Sequence, residues 1–307
     1  MPAVLAMMLF DRLDAKRPEP RSTLRMVALA GGLSAIPVII VELVLKMFGP
    51  ADLDALERGA PSSYGAGLYM AFVVAAAPEE GAKMLSLLLF AWRRPEFDER
   101  MDGIVYGARA GLGFALVENV GYLLTLPSNL GEYVALFLGR AVLAVPGHAI
   151  WGAVIGYFAA VRRFDRRGPG LIGGYLIAVA MHGAYDAWLF CAPTAIADGH
   201  TWMSLGVDGF PVVAYAVPFA IVAGGALFVR AAMARALADD DHAELLAQQA
   251  LLYQQQQQAY AQQQAYYAQQ QAYYAQQQAY AQQQAYPQQA YPQPPYPPYP
   301  PGGSGTT

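Results

Sequence analysis

Residues Ala66–Trp92 read AGLYMAFVVAAAPEEGAKMLSLLLFAW. The stretch is long and apolar enough to cross a bilayer, which takes about 20 residues as a helix. Yet Glu79, Glu80 and Lys83 lie well inside it. A charge in the hydrocarbon core costs several kcal/mol and usually marks a functional position. The segment therefore predicts two things together, a membrane helix and a polar site buried within it.

The rest of the chain fits the first expectation. Of 307 residues, 56% are hydrophobic and only 14% charged, against about a quarter charged in soluble domains. Windows of membrane-crossing length predict an all-α, polytopic integral membrane bundle of six helices, at residues 24–48, 66–92, 103–126, 133–161, 171–191 and 210–233. The opening stretch Met1–Phe10 is too short to span and lacks the basic start of a signal peptide. Loop charges alternate. Arg12, Lys16, Arg17 and Arg21 precede the first span; Arg93, Arg94 and Arg100 follow the second; Arg162, Arg163, Arg166 and Arg167 follow the fourth. The loops after the third and fifth spans hold no Lys or Arg, and the loop after the first holds only Arg58 among acids. The positive-inside rule then puts both termini in the cytoplasm.

Residues 1–23 read as a cytoplasmic N-terminal segment and 24–235 as the membrane domain, with its polar core at about 66–191. Residues 236–307 form an acidic, then Gln/Tyr/Pro-rich tail. All 42 charged residues precede residue 245, and eleven of the 20 tyrosines lie in the tail repeats AYAQQQ and AYYAQQQ and the Pro/Tyr-rich end. Such a composition lacks the aliphatic surface for a core and predicts disorder, with self-association as one use. The single cysteine, Cys191, excludes a disulfide framework and a thiolate-rich zinc site. A net charge of −4 offers no basic face for nucleic acid.

More polar residues fall within the spans: Arg109, Glu118 and Asn119 in the third, Arg140 and His148 in the fourth, His182 and Asp186 in the fifth. Helical spacing gives them faces. Glu79 and Lys83 are four apart and Glu80 and Lys83 three apart, so Lys83 can hold one carboxylate ionised. Gly103, Gly107 and Gly111 make a close-packing stripe that continues through Phe114 to Glu118. His148, Gly152 and Gly156 repeat every four residues, and His182 and Asp186 share a face. Arg109 and Arg140 read as counter-charges to buried acids, Asn119 as interhelical glue or a ligand, and Glu42 with Lys46 as a structural pair.

These residues, in this order, resemble the PrsW family of intramembrane proteases, part of a wider group that includes the CAAX prenyl proteases. The resemblance rests on PEEGAK (Pro78 to Lys83, an EExxK motif) and DGIVYGARAGLGFALVEN (Asp102 to Asn119, ending FxxxEN). RAVLAVPGHAIWG (Arg140 to Gly152) and HGAYD (His182 to Asp186) complete it. It covers about two-fifths of the chain. It implies an endopeptidase of the bacterial cytoplasmic membrane that makes a first cut in a single-pass, anti-sigma-factor-like substrate. Glu79 or Glu80 would then activate water, His182 would be essential, and Glu118, His148 and Asp186 would orient the water, the imidazole or a metal. Lys83, Asn119 and Arg140 would support them. The residues leave two options open: a divalent metal such as zinc on ligands drawn from His148, His182, Asp186 and Glu118, or a metal-free carboxylate–water–histidine site. A proton- or ion-coupled transporter, or an inactive scaffold, are the alternative readings of the same buried charges.

Overall fold

The structure, a computed structural model, describes residues 2–124, 130–206 and 212–285, and Pro295. Among the described residues it is helical without strands. The helices are α1 (Pro2–Leu13), α2 (Arg21–Met47), the short α3 (Leu53–Glu57) and α4 (Tyr64–Leu68), α5 (Ala77–Phe90) and α6 (Arg100–Leu124). They continue with α7 (Leu130–Gly139), α8 (Val145–Asp165), α9 (Gly170–Ala197) and α10 (Ala216–Ala285). Two π-helical segments join them without a break: Tyr69–Ala76 leads into α5, and Arg140–Ala144 into α8.

Four stretches are long and apolar enough to cross a membrane: Arg21–Met47, Leu136–Asp165, Gly170–Ala197 and Val213–Ala285. These coincide with the expected first, fourth, fifth and sixth spans. The stretches at the second and third are also long helices, but they carry Glu79, Glu80, Lys83, Arg109 and Glu118, which lowers their mean hydropathy. The expected end of the third span lies outside the described residues.

Helix α6 is the centre of the bundle, and glycines put it there. A Cβ on Gly103, Gly107 or Gly111 would sit 2.4, 2.1 and 2.0 Å from the carbonyl oxygens of Gly156, Gly152 and His148 on α8. On the opposite side, Cβ atoms on Gly31 and Gly113 would meet the carbonyls of Ala110 and Ala28 across the α2–α6 contact. Only backbones without side chains approach this closely. The stripe read from the sequence therefore packs against the repeat that carries His148, and α6 is buried from Met101 to Ala115.

Helix α1 lies along α6. Ala3, Met7 and Phe10 are buried in the core, and Arg109 of α6 pairs with Asp11 and donates to the carbonyl of Met7. Arg109 is thus a counter-charge as expected, but to the partly exposed Asp11 rather than to a buried acid. Lys46 is different: it pairs with Glu57 of α3 at 2.7 Å rather than with Glu42 one turn away.

The tail departs from expectation. Helix α10 continues through the Gln/Tyr repeats to Ala285, where disorder was expected. Ala and Gln are strong helix formers, and glutamine side chains donate to tyrosine hydroxyls one turn earlier, Gln264 to Tyr260 at 2.7 Å and Gln277 to Tyr273 at 2.9 Å. The composition forbids a packed core, which a single helix does not need; every residue from Ala243 to Ala285 is exposed. The Pro/Tyr-rich end lies outside the described residues, except Pro295.

Where α1 ends, the buried acids Asp14, Glu99 and Asp102 converge. Neither oxygen of Asp14 has a hydrogen-bond partner among the described residues. Burial, reinforced by Asp102 and Glu99, pushes the Asp14 carboxyl up to about 7. Burial and Asp102 push Glu99 up to about 7 against the pull of Arg17. Both carboxyls hold protons more tightly in the folded chain than unfolded. The resulting stabilisation is present at low pH and is lost as pH rises through about 7. The melting temperature in detergent should therefore fall between pH 5 and pH 8. Asp14→Asn should raise it at pH 8 and flatten the profile; an unchanged profile in that variant would refute the assignment.

Candidate active site

The polar residues of four helices meet between α5, α6, α8 and α9. The Lys83 ammonium is their hub, with no exposed side-chain surface. Its Nζ donates to Glu80 Oε1 at 2.6 Å and lies 3.8 Å from Glu79 Oε2. It is also 2.7 Å from His148 Nδ1. An ammonium has only donors, so His148 Nδ1 accepts. That leaves the ring proton on Nε2, 2.8 Å from Glu118 Oε2. His182 Nδ1 lies 2.8 Å from the same Glu80 Oε1, and its Nε2 lies 3.1 Å from Asp186 Oδ2. A ring with carboxylates at both nitrogens is matched by the doubly protonated imidazolium. Arg140 Nη2 donates to Glu118 Oε2 at 2.6 Å, its Nε donates to Asn119 Oδ1, and its guanidinium caps the Tyr122 ring at 3.8 Å. Asn119 in turn donates to the Ala115 carbonyl.

The two glutamates differ. Glu80 is fully buried and accepts from both Lys83 and His182. Glu79 faces a cavity of about 400 Å³, which Glu118, Arg140, His148, His182 and Asp186 also line. Its Oε2, like the Oε2 of Glu80, is buried without a hydrogen-bond partner among the described residues, but of the two only Glu79 lines the cavity. It also belongs to both clusters of ligand atoms that lie within 4.8 Å of one another: Glu79 with Glu80 and His182, and Glu79 with Glu118 and His148. Asp186 falls outside both clusters.

Local structure explains how both glutamates turn inward. Ala66, Met70 and Val74 are buried at four-residue intervals; the next buried positions on that line are Glu79, Lys83 and Leu87. The step from Val74 to Glu79 is five residues, across the π-helical segment. An uninterrupted α-helix would bring Pro78 and Ala82 to that line instead. Pro78, which has no N–H to give, follows directly after the π-helical segment in the first turn of α5.

Nine of the ten polar residues singled out in the sequence within these motifs (Glu79, Glu80, Lys83, Glu118, Asn119, Arg140, His148, His182 and Asp186) join this network; the tenth, Arg109, pairs with Asp11 instead. Three aromatic residues join it that sequence reasoning missed. Trp151 is buried and stacks on His182 with ring centroids 4.0 Å apart at 12°; it also meets His148 edge-on. Tyr122 and Tyr185 line the cavity. Trp151 stands one turn beyond His148, and that spacing was the only available signal.

Comparison with known proteins agrees with the motifs. A family model described as PrsW family intramembrane metalloprotease matches residues 19–238. The chain is 29% identical over 190 residues to the Protease PrsW of Clostridioides difficile, covering 61% of this chain and 75% of that protein. It is 32% identical over 193 residues to the Protease PrsW of Geobacillus kaustophilus, covering 62% and 77%. No solved structure matches.

If the Lys83–Glu80 pair neutralises charge in the core, Lys83→Met leaves the buried Glu80 carboxylate with His182 as its remaining cation, a loss of up to about 3–5 kcal/mol. The melting temperature should fall by on the order of 10 °C. Adding Glu80→Gln should recover much of it, the coupling expected of direct partners. Strictly additive effects would show that the pair is not a unit.

Proposed function

The chain belongs to the PrsW family of intramembrane metalloproteases, and from that premise we propose that it cuts a single-pass membrane protein of the anti-sigma-factor type, with Glu79 as the carboxylate that activates water. The observation that carries this reading is the contrast between the paired glutamates. Each has an Oε2 without a hydrogen-bond partner among the described residues, but Glu80 is held through Oε1 by Lys83 and His182 and lies off the cavity, whereas Glu79 lines it. Peptide hydrolysis needs a group to take a proton from water, a donor for the oxygen that becomes negative, and a path returning the proton to the leaving amine. Glu79 is the acceptor and the returning acid. His182, held between Glu80 and Asp186, and Arg140, held by Glu118 and Asn119, are donors lining the same cavity.

The donors also fit a divalent cation. Glu79, Glu118 and His148 offer two carboxylate oxygens and an imidazole nitrogen within 4.8 Å of one another, and all three line the cavity. Oxygen and nitrogen donors of this kind suit zinc. A bound zinc would supply a Lewis acid and lower the pKa of a bound water. Lys83, now 2.7 Å from His148, is the charge that would have to give way for the imidazole to bind it. The setting we propose is the bacterial cytoplasmic membrane, crossed six times with both termini in the cytoplasm.

Two measurements test the reading. N-terminal profiling of bacterial membrane and released proteins under envelope stress should reveal new ends beside the span of a single-pass protein in cells with the wild-type chain. Glu79→Gln should abolish them while its melting temperature stays near wild type. Undiminished cleavage by that variant would sink the assignment. Titration of the purified protein with zinc should give about one tight site, weakened roughly tenfold or more by Glu79→Gln. Equal zinc affinity in the two proteins would remove Glu79 from the ligand set and leave it as base alone.

A further inference from the structure

A protease buried in a helix bundle needs an opening through which a membrane segment can reach it, and most seams of this bundle are closed. Glycine contacts seal α6 against α8 and against α2. Gly174 of α9 packs on the Ile155 backbone of α8, and Gly183 of α9 on the Phe72 ring of the π-helical segment before α5. Between α7 with its π-helical continuation and α10 there is no such glycine contact among the described residues, and α7 packs closely against no element but that continuation.

An open groove of about 420 Å³ occupies that side. Leu138, Val142 and Leu143 form one wall and Phe219 the other, and its surface is almost wholly apolar. Two of its residues, Gly139 and Tyr215, also line the catalytic cavity. A Cβ at Gly139 would meet nothing within 4 Å, so no side chain narrows the passage there. A second apolar groove of about 560 Å³, bordered by Leu68 and Trp202, shares no lining residue with the catalytic cavity.

We propose that the groove between α7 and α10 is the lateral entrance for the substrate's transmembrane segment, with Gly139 and Tyr215 at the threshold of the catalytic cavity. The inference rests on the proteolytic reading above. Its occupant follows from chemistry and continuity. An apolar wall gains from apolar side chains, a transmembrane helix presents them all round, and the polar end of the same passage is where a peptide bond must arrive. The π-helical segment Arg140–Ala144 carries Val142 and Leu143 into the groove and Arg140 into the cavity. One short stretch therefore contacts the anchored part of the substrate and the bond to be cut.

Photocrosslinking in intact membranes tests this. A benzoylphenylalanine is placed singly at Phe219, Val142, Trp202 or Leu29 of the full-length Glu79→Gln protein. The probe is the single-pass protein whose cleavage by the wild-type chain is found by terminal profiling. Adducts several-fold stronger from Phe219 and Val142 than from Leu29, on the exposed face of α2, or from Trp202 are expected. In the otherwise wild-type chain, Val142→Trp should slow cleavage of that protein with an unchanged melting temperature. Adducts of equal strength at all four sites, or strongest at Trp202, overturn the entrance while leaving the protease reading intact. Normal cleavage by Val142→Trp does the same. Absence of any wild-type-dependent cleavage overturns both.

Discussion

An ammonium with no exposed side-chain surface cannot stand alone in an apolar bundle, and Lys83 dictates what surrounds it. Its Nζ is within 4 Å of Glu79, Glu80 and His148. Removing one partner from a buried ion pair costs about 3–5 kcal/mol, so the charges must arrive together or not at all. From Lys83 the network spreads outward along two branches, one through a carboxylate and one through the neutral His148 ring. Glu80 hands on to His182 and Asp186, and His148 hands on to Glu118 and then Arg140. The outermost members, Asp186 and Arg140, line the cavity together with Glu79, Glu118, His148 and His182. Charge compensation and active-site construction are one requirement here.

That network is held by contacts with no charge in them. Gly107 faces Gly152 and Gly111 faces the His148 carbonyl at distances that admit no Cβ. Close approach of α6 and α8 brings the His148 ring within reach of Glu118, two helical turns past Gly111. Side chains as small as alanine on both helices would push the axes apart. A hydrogen bond weakens steeply beyond about 3.2 Å, so a separation of even 1 Å would disconnect the Glu118–His148 link. The stacked Trp151 then fixes the plane of His182 from the other side.

Much of this was legible in the sequence, and the reasons are physical. Charges inside apolar windows announce themselves because the bilayer penalises them. Intervals of three and four residues place Glu80 with Lys83 and His182 with Asp186. The glycine stripe predicts a close contact, and its partner repeat on α8 is visible. Trp151 was not legible, since a tryptophan in an apolar helix looks the same whether it stacks on an imidazole or on a leucine. The link between Arg109 and Asp11 was hidden because α1 is too short to be read as membrane structure. The tail misled for another reason: a composition that cannot build a core says nothing against an isolated helix rich in Ala and Gln.

The two π-helical segments carry the least legible part of the design. A helical wheel drawn through Ala66–Lys83 at 100° per residue separates the apolar line Ala66–Met70–Val74 from the acidic pair, and so predicts that one of them faces lipid. The five-residue step between Val74 and Glu79 removes the conflict. The apolar line packs the first half of the helix, and the second half is re-phased to bring Glu79 and Lys83 onto the same buried side. The segment Arg140–Ala144 stands in the same relation to His148, followed likewise by a proline, Pro146. π-helical turns give up regular hydrogen-bond geometry and are frequent at functional sites. In this bundle, the two helices that bring Lys83 and His148 together are the two that contain them, so the re-phasing is tied to the one contact on which the site's charge balance rests.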